Sequence, residues 1–533
     1  MQTINDLLPQ YDEKFSPVGQ TLPHSVRAYR VEVLLAFAQA GIPLNKICTP
    51  GIQQLLEHDR SSLGGVRALR DLSPMLEMLE FKRLIEEDLA NVKEYSCCWD
   101  ATFRFAEVWA MLVYYFDGRG RRQKRLISLR LLKGSMTGPE TCAVVLHAVQ
   151  QVSLKLEKNL FTIFDRCAVN YSASDMLGAL APDSSAIGCM SHTTSGVGDR
   201  AVLPLVKSLV EALNIATHSI GARGLFQAEF GEVMEGHSDT RWYCTYHQAR
   251  QVHSGFSHLL PWLRQLGSAG YVPQTVAKLR AVVVHCWTLQ LELSVMVDSF
   301  APFVAACHTL EGDAAVLVFR VHSDWLALQT HVAACRATTA LACTTAVARE
   351  IVSREFPRIL AAGVDQKVTR LLEEALSKVE PAFAHFDAKT VELKHQLKFH
   401  EAATMFHPLL VQQTGLSEAQ FRSLVEFIPP LNKPATVTAL LNERERYVTE
   451  CMATPAAPWQ ECDVEALWAE GRFRRLSSWH DGGRAVMLAQ PSSAPMERVF
   501  SMLQTVVCDQ QGRGLSDYQA GSMMTYYNTR ERE

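Results

Sequence analysis

Hydrophobic residues change their spacing along the chain, and each change marks a boundary between predicted regions. Up to about residue 90 they follow a helical rhythm, as at Val31, Leu34 and Ala38 before the helix stop at Gly41-Ile-Pro43. From residue 94, three runs rich in β-forming residues succeed one another with short turns. These runs cover residues 95–104, 108–116 and 125–132. The middle run is apolar at nearly every position, which is typical of a strand buried on both faces.

Helix and strand patterns alternate after these runs. A helix is predicted over 141–156, and an apolar strand over 160–164 follows it and ends on Asp165. A second helix over 170–180 leads to a further short strand over 186–189. Three antiparallel strands followed by helix, strand, helix and strand predict an α+β fold built on a mixed sheet.

Strand signals vanish between about residues 200 and 475, where long helical patterns take over, for example over 276–297 and 368–397. We expect one all-helical domain there. Beyond it Pro491 interrupts the chain, and a helix over 494–507 has its apolar residues on one face. The predicted domains are a small helical module over 1–90, the first part of a sheet domain over 91–200, the all-helical domain over 201–475 and the last part of the sheet domain over 476–533.

Length, charge and cysteine content narrow the class of protein. A chain of 533 residues exceeds the size at which one hydrophobic core stops growing, which predicts two or three domains or one domain with a large insertion. The formal net charge of −4 gives no global signal for nucleic acid, so polyanion binding would depend on local basic patches. The 14 cysteines form no CxxC pair and no zinc-finger spacing, which indicates reduced thiols in a cytosolic or nuclear protein. The sequence shows no basic leader and no uncharged apolar run of about 18 residues, so we expect a soluble protein without a membrane partner.

Two acids stand at unusual places in the predicted sheet. Asp100 lies inside the first strand among apolar residues, where burial of a carboxylate without a cation or hydrogen bonds is costly. Asp165 follows Phe161 and Ile163 on one strand face and sits at the carboxyl end of its strand, where open sheets place their sites. Carboxylates on neighbouring strands repel each other unless a divalent ion lies between them. The alternative is a strand-end acid that accepts a backbone N–H, and the residues alone leave both open.

Glu497 is the third candidate acid, in the first turn of the helix predicted after Pro491. An acid at this position also stabilises a helix through the helix dipole alone. Together with Asp100 and Asp165, however, it would complete a carboxylate site for two Mg²⁺ or Mn²⁺ ions and phosphodiester chemistry.

Two further motifs are weaker. Cys189 and His192 have the CxxH spacing of half a zinc site, but no second pair stands at a suitable distance, which favours a structural or hydrogen-bonding role. Trp242 follows Arg241 where a polar segment passes into a helix. Most tryptophans belong to a core, and only position would make this one a platform for base stacking.

The basic candidates lie in a hairpin and beside Glu497. The run over 119–125 holds five cations in seven residues and includes Arg121 and Arg122. Such a run is usually the solvated tip of a hairpin, although it could contact phosphates. Arg498 is the cation next to Glu497, and we count it with them as a DNA-binding candidate.

These pieces, in this order, resemble the hAT superfamily of DNA transposases. The most specific part is the C-terminal segment Pro491-Ser-Ser-Ala-Pro-Met-Glu-Arg-Val-Phe-Ser501, which is similar to the hAT dimerisation region. The other matching segments are Ala40 to Leu44, Trp99-Asp-Ala-Thr102, Phe164-Asp-Arg-Cys-Ala-Val-Asn170, Cys189 with His192, Thr240-Arg-Trp242, Arg513-Gly-Leu515 and Tyr527-Asn528. The resemblance spans nearly the whole chain.

The resemblance implies an RNase H-like fold interrupted by an all-helical insertion domain. It implies a DDE triad of Asp100, Asp165 and Glu497 that cuts and joins DNA through two Mg²⁺ or Mn²⁺ ions. Trp242 would match the family tryptophan near a flipped base at a hairpinned DNA end, and Cys189 with His192 the family CxxH element. The implied partners are transposon ends, target DNA and further copies of the chain as a homodimer or larger homo-oligomer, in the nucleus.

Two departures from the family pattern keep a second reading open. No BED-type zinc finger, with which family members usually begin, is evident in the sequence. The second acid is followed by Arg166, whereas the common pair is Asp-Asn. The alternative is therefore a catalytically silent, transposase-derived protein that binds DNA or dimerises. A helical scaffold without a DNA role is a third possibility.

Overall fold

The computed structural model describes residues 2–15, 22–47, 49–56, 63, 65–102, 108–132, 134–236, 242–312, 316–357, 361–504 and 518–533. The chain divides into two compact units. The sheet unit comprises Met1–Cys189, Glu311–Phe319 and Lys398–Glu533, and the helical unit comprises Met190–Leu310 and Arg320–Leu397. Along the sequence, the helical unit therefore lies between segments of the sheet unit.

The sheet unit begins with a helical module that has its own small core, to which Val31 and Met75 contribute. Its described helices are α1 (Gln2–Phe15), α2 (His24–Gln39), α3 (Leu44–Ile47), α4 (Pro50–Leu55), α5 (Val66–Leu72) and α6 (Pro74–Arg83), the last continuing into a π-helical turn, Leu84–Asp88. Pro74 stands in the first turn of α6, where its missing N–H breaks no helical bond. The helix stop predicted at Gly41 is confirmed, since this residue takes a left-handed φ of 67° just after α2.

One five-stranded mixed sheet forms the centre of the sheet unit, which confirms the predicted α+β class. Its strands are β1 (Tyr95–Thr102), β2 (Val108–Phe116), β3 (Arg122–Leu131), β4 (Asn159–Phe164) and β5 (Ser185–Gly188). They lie in the order β3-β2-β1-β4-β5. The first three strands pair antiparallel, whereas β4 is parallel to both β1 and β5. All residues of β2 are buried except the last, Phe116, as its continuous apolar pattern predicted.

The third strand starts earlier than predicted, at Arg122 instead of Arg125. The reason is the hairpin turn, because Asp117 Oδ1 accepts hydrogen bonds from the backbone N–H groups of Arg119 and Arg121, each at 2.9 Å. This turn brings Arg122 opposite Phe116, so the ladder includes charged residues that the apolar pattern could not identify.

Two helices follow the hairpin in the sheet unit, α7 (Gly138–Gln151) and α8 (Ala168–Leu180). A capping box starts α7, in which the backbone N–H of Thr137 donates to Glu140 Oε2 at 2.7 Å. This helix is shorter than the predicted 141–156 at its end, and Ser153 takes a positive φ of 58° just beyond it.

The described part of the helical unit contains helices and no strand. They are α9 (Met190–Gly198), α10 (Pro204–Thr217), α11 (Ile220–Phe230), α12 (Trp242–Ser254), α13 (Leu259–Ala269), α14 (Pro273–Val283), α15 (Cys286–Leu310), α16 (Val321–Arg336), α17 (Ala342–Glu355) and α18 (Ala361–Glu392). The continuous helix predicted over 276–297 is interrupted at Val284 and His285, and the one over 368–397 at Leu393. Helix α15 is long and apolar enough to cross a membrane, but 61% of its most apolar window is buried inside the protein, as in a core helix.

Residues 398–475 belong to the sheet unit, although the helical domain was expected to extend to 475. The remaining helices are α19 (Lys394–Ala403), α20 (Pro408–Thr414), α21 (Glu418–Val425), α22 (Pro434–Met452), α23 (Val464–Ala469), α24 (Gly471–Arg474), α25 (Ser477–Met487), α26 (Ala494–Leu503) and α27 (Tyr518–Arg532). The boundary differs because Phe399, Trp468 and Trp479 are buried in the same core as the sheet. Helix α26 ends at Leu503, and residues 505–507 of its predicted range lie outside the described residues, as do 513–515.

The last helix closes the sheet unit through buried polar groups. Helix α27 packs against α2, α6 and β3. Asn528 is fully buried, and its amide donates to Glu80 Oε1 at 2.8 Å and to the Leu126 carbonyl at 2.9 Å. Arg532 Nη2 is 2.8 Å from the same Glu80 oxygen and also bonds Asp88. In the implied dimerisation region, Asn528 and Arg532 therefore make their contacts within the chain.

Candidate active site at the carboxyl edge of the sheet

The two strand acids occupy neighbouring positions in the sheet. In the parallel pair β1–β4, the last register partners are Trp99 and Phe164. The next residues of the two chains are Asp100 and Asp165, so the continued register sets them side by side. Adjacent strands lie about 4.8 Å apart, which brings two carboxylates close together at the edge where β4 ends. Because β1 and β4 are more than 60 residues apart in the sequence, the hydrophobic pattern alone could not predict that they pair.

The two acids project to the face of the sheet that α8 does not cover. Trp99 Nε1 donates to Asn170 Oδ1 of α8 at 3.1 Å. The Phe164 ring, in the same register position, meets the ring of Tyr171 edge-on at a centroid distance of 5.4 Å. Side chains alternate along a strand, so the acids that follow Trp99 and Phe164 point to the opposite face.

That opposite face carries α19. Phe161, which shares its face with Asp165, packs on Phe399 of α19 at a centroid distance of 5.4 Å. Helix α26 packs against β1 and β2 and buries Met496 and Val499 in the core of the sheet unit. Helix α26, which carries the third acid, therefore packs on β1, the strand that carries Asp100.

Each strand acid is oriented by the chain next to it. Asp100 Oδ1 accepts the backbone N–H of Ala101 at 2.8 Å, and Asp165 Oδ1 accepts that of Arg166 at 2.6 Å. Both side chains are half-buried. Partial desolvation raises the pKa of the Cys167 thiol, and the Asp165 and Asp100 carboxylates raise it further.

Glu497 lies in the first turn of α26, and its side chain is half-buried. The start of α26 is bonded to the end of β5: the Ser493 N–H donates to Cys189 Sγ at 3.3 Å, and the Cys189 thiol donates to Ser492 Oγ at 3.6 Å. The Cys189 N–H in turn donates to the carbonyl of Phe164 at 2.9 Å. The first turn that carries Glu497 is therefore anchored at the edge of the sheet where Asp165 follows Phe164.

The CxxH pair is divided between the two units. Cys189 is fully buried and its thiol is engaged by the loop before α26, in keeping with a hydrogen-bonding role. His192 lies in α9 of the helical unit and is half-buried. Within the described residues, no group of three or more acidic, histidine or cysteine side chains is gathered closely enough to hold a metal ion.

The donor chemistry at the sheet edge nevertheless suits the implied ions. Mg²⁺ and Mn²⁺ prefer carboxylate oxygens, and Asp100 with Asp165 supplies two carboxylates whose mutual repulsion a divalent cation would relieve. Glu497 is the third carboxylate, on helix α26, which packs against the strand of Asp100. The structure shows the adjacent pair and the anchored helix, and completion of the ligand set by Glu497 is a proposal.

Trp242 lies at the start of α12 in the helical unit and is half-buried against the core there. Its ring fills the space beside Gly198, where an added Cβ would lie 2.2 Å from ring atom Cδ2. The ring also meets that of Phe300 in a T-shaped contact at 4.9 Å. Packing explains this tryptophan without a ligand, and Arg241 lies outside the described residues.

The basic candidates differ in how they are engaged. Arg122 forms a salt bridge to Glu465 at 3.0 Å and its side chain is 8% exposed, so a phosphate would have to compete with that carboxylate. The Arg121 side chain is 65% exposed, and its Nε lies 3.5 Å from Asp117 Oδ2. Arg498 is exposed and donates a hydrogen bond to the carbonyl of Glu311.

Sequence reasoning missed the role of Arg166 beyond its place after Asp165. The guanidinium donates to the carbonyls of Gly188 and Cys189 at 3.3 and 3.2 Å and to the Tyr171 hydroxyl at 2.7 Å. The sequence signal for these contacts is the cation that directly follows Asp165.

No protein-family model and no curated protein matches the chain. The case for a function therefore rests on the residues themselves and on their arrangement at the carboxyl edge of the sheet.

Proposed function

We propose that the chain is a hAT-like transposase that cleaves and joins DNA strands at a DDE site formed by Asp100, Asp165 and Glu497. The observation that carries the proposal is the parallel pairing of β1 and β4, whose register sets the first two acids side by side. Glu497 is proposed as the third acid because the loop before α26 is bonded to Cys189, which follows β5. Under the proposal, Glu497 completes the adjacent pair into the carboxylate site of a two-metal phosphodiester enzyme.

The sheet topology supports an RNase H-like fold. Three antiparallel strands are followed by two parallel ones in the order β3-β2-β1-β4-β5, with α7 and α8 as the connecting helices. The acids lie on the central strand β1 and at the end of its parallel neighbour. The position of the helical unit between segments of the sheet unit supports the proposal of an inserted helical domain.

Asp100, Asp165 and Glu497 would hold two Mg²⁺ or Mn²⁺ ions, which activate a water or 3′-hydroxyl nucleophile and stabilise the leaving oxygen when bound. The chain's own contribution is orientation: the N–H groups of Ala101 and Arg166 each fix one carboxylate oxygen of the acid before them. Half-burial of the two acids keeps their charges poorly screened by solvent, so they attract a cation more strongly than exposed acids do.

DNA, further copies of the chain and a nuclear location complete the proposal. Arg121 and Arg498 are exposed cations suited to phosphate contacts, whereas Arg122 would first have to release Glu465. The contacts of a homodimer would have to come from residues other than Asn528, because the Asn528 side chain is buried within its own chain. Trp242 would contribute to base stacking only through the part of its ring that Gly198 and Phe300 leave accessible.

Strand cleavage with Mn²⁺ tests the proposal. The substrates are DNA duplexes whose sequences are taken from the genomic DNA on either side of the gene that encodes the chain. We expect the wild-type protein to nick them, and Glu497→Gln to reduce product below detection while the thermal unfolding midpoint stays within a few degrees. The matched control is Glu418→Gln, because Glu418 is also a first-turn acid, in α21, and is remote from the proposed ligands in sequence and element. Equal activity of Glu497→Gln and wild type would refute the site.

A catalytically silent DNA-binding or dimerisation protein is the second candidate. The observation that favours it is the exposure of Arg121 and Arg498, cations that can contact phosphates without any metal ion. A wild-type protein that binds the flanking duplexes but leaves them intact across a range of Mn²⁺ concentrations would support this candidate against the enzyme.

A further inference from the structure

Arg166 is the residue after Asp165, and its guanidinium connects the end of β4 to the end of β5 and to helix α8. Its Nε and Nη2 donate to the carbonyls of Cys189 and Gly188, and its Nη1 donates to the Tyr171 hydroxyl of α8. The backbone N–H of the same residue donates to Asp165 Oδ1 at 2.6 Å. One residue thus contacts the acid, the end of β5 and the helix that follows the acid.

The chain leaves room for this guanidinium by having glycine at position 188. A Cβ added to Gly188 would lie 2.8 Å from Arg166 Cζ and 3.0 Å from its Nε. Such separations are far below van der Waals contact, so any side chain at 188 would displace the guanidinium. Arg166 and Gly188 are therefore matched in shape.

The same connection continues to the third acid. The carbonyl of Cys189 accepts from Arg166, while the thiol of Cys189 accepts from the Ser493 N–H and donates to Ser492 Oγ. Ser492 Oγ also accepts the N–H of Ala494, the first residue of α26, at 3.0 Å. Hydrogen bonds therefore lead from Arg166 to the start of the helix that carries Glu497.

We propose that Arg166 is a positioning residue that sets the distance between Asp165 and the first turn of α26. The inference rests on the proposed function, because the distance matters for chemistry only if Asp165 and Glu497 share ions. Arginine suits the role, since its planar fork donates to several acceptors in fixed directions, whereas lysine offers a single flexible ammonium.

Arg166→Lys separates this role from a simple effect of charge. It keeps the positive charge beside Asp165 but cannot reproduce the bonds to Gly188, Cys189 and Tyr171 together. We expect the Mn²⁺ concentration for half-maximal cleavage to rise by about tenfold, as for other residues that orient metal ligands, while the rate at saturating Mn²⁺ stays near that of wild type. Wild-type Mn²⁺ dependence in the lysine variant would overturn the proposal.

Arg130→Lys is the matched control. Arg130 also joins a strand to a helix, since it donates to Ser128 Oγ at 3.3 Å and to Gln151 Oε1 of α7 at 2.9 Å. It lies on β3, two strands away from β1, so its loss should lower stability without changing the Mn²⁺ dependence. Gly188→Ala is a second test variant that leaves Arg166 in place but displaces its guanidinium, and it should reproduce the effect of Arg166→Lys.

Hydrogen exchange of the free protein supplies a readout that needs neither metal nor DNA. We expect the amides of Ser493 and Ala494 to exchange faster in Arg166→Lys and Gly188→Ala, and at the wild-type rate in Arg130→Lys. Unchanged exchange at these amides in both test variants would overturn the proposed connection. If the wild-type protein neither binds Mn²⁺ nor cuts DNA, the proposed function fails, and the exchange measurement still decides whether Arg166 holds α26.

Discussion

Buried and half-buried carboxylates occur in both units, but their surroundings differ. In the helical unit, Glu292 is 1% exposed and forms a salt bridge with Lys378 at 2.9 Å. In the sheet unit, Asp100 and Asp165 are half-buried and adjacent in register, so each has another acid as its neighbour. The first arrangement compensates a buried charge within the fold, and the second accumulates charge at an edge. Neighbouring charges, more than burial, separate a structural acid from a candidate site acid here.

The compensation at Glu292 is extensive. Its Oε2 accepts the backbone N–H groups of Leu205 and Val206 at 2.9 and 3.2 Å, at the start of α10. Asp298 lies further along the same helix, α15, and accepts a hydrogen bond at the start of α17. The donor is the backbone N–H of Thr344, at 2.8 Å. Both acids thus satisfy helix starts that would otherwise leave N–H groups without acceptors.

Removal of Glu292 gives the largest effect we expect on stability. Glu292→Ala leaves the ammonium of Lys378 and two N–H groups without their acceptor, so the free energy of unfolding of the helical unit should fall by about 3–5 kcal/mol. Chemical denaturation, followed by hydrogen exchange of α10 and α15, measures it. Glu292→Gln, which keeps an oxygen for the N–H groups, should cost less than Glu292→Ala. Equal costs would show that the ion pair, and not the helix start, accounts for the stability.

Acid should weaken the sheet unit through one histidine. Burial lowers the pKa of the His407 imidazole to about 4, from 6.5 in the unfolded chain. The unfolded state therefore takes up a proton first as pH falls, so this contribution is complete above pH 6.5 and is lost between pH 6.5 and 4. The loss amounts to about 3 kcal/mol. Denaturation midpoints across this pH range measure it, and His407→Phe should flatten the profile. An unchanged profile would show that other groups govern the acid response.

Neutralisation of a strand acid should have the smallest effect and the opposite sign. Asp100→Asn removes repulsion between neighbouring strand positions, so we expect the free energy of unfolding to rise by about 0.5 kcal/mol while cleavage is lost. The measurement is a denaturation curve without divalent ions, beside the same curve for Asp165→Asn. Because each variant relieves the same repulsion, the double variant should gain less than the two together. A loss of stability in either single variant would place that acid with Glu292 as a structural group.

The fold was predictable where local pattern determines it. Apolar runs located the five strands of the sheet, although the third begins at Arg122 and not at Arg125. Helical periodicity does not reveal which core a helix joins, so Phe399 and Trp468 were assigned to the wrong side of a boundary between units. The β1–β4 register and the bonds of Arg166 connect distant segments, and no local pattern encodes them. For the same reason the sequence could propose Asp100 and Asp165 as partners but could not set them side by side.

Buried Asn528 has a consequence for the order of folding during synthesis. Its partner Glu80 precedes it by 448 residues, so the N-terminal module leaves the ribosome long before the amide that Glu80 accepts has been made. Until then Glu80 and the flank of β3 at Leu126 face water or a chaperone. The contact closes a very long loop, so it stabilises the fold only after the last helix has been synthesised. Nascent chains that stop before α27 therefore expose an unfinished sheet edge, which cellular quality control can recognise.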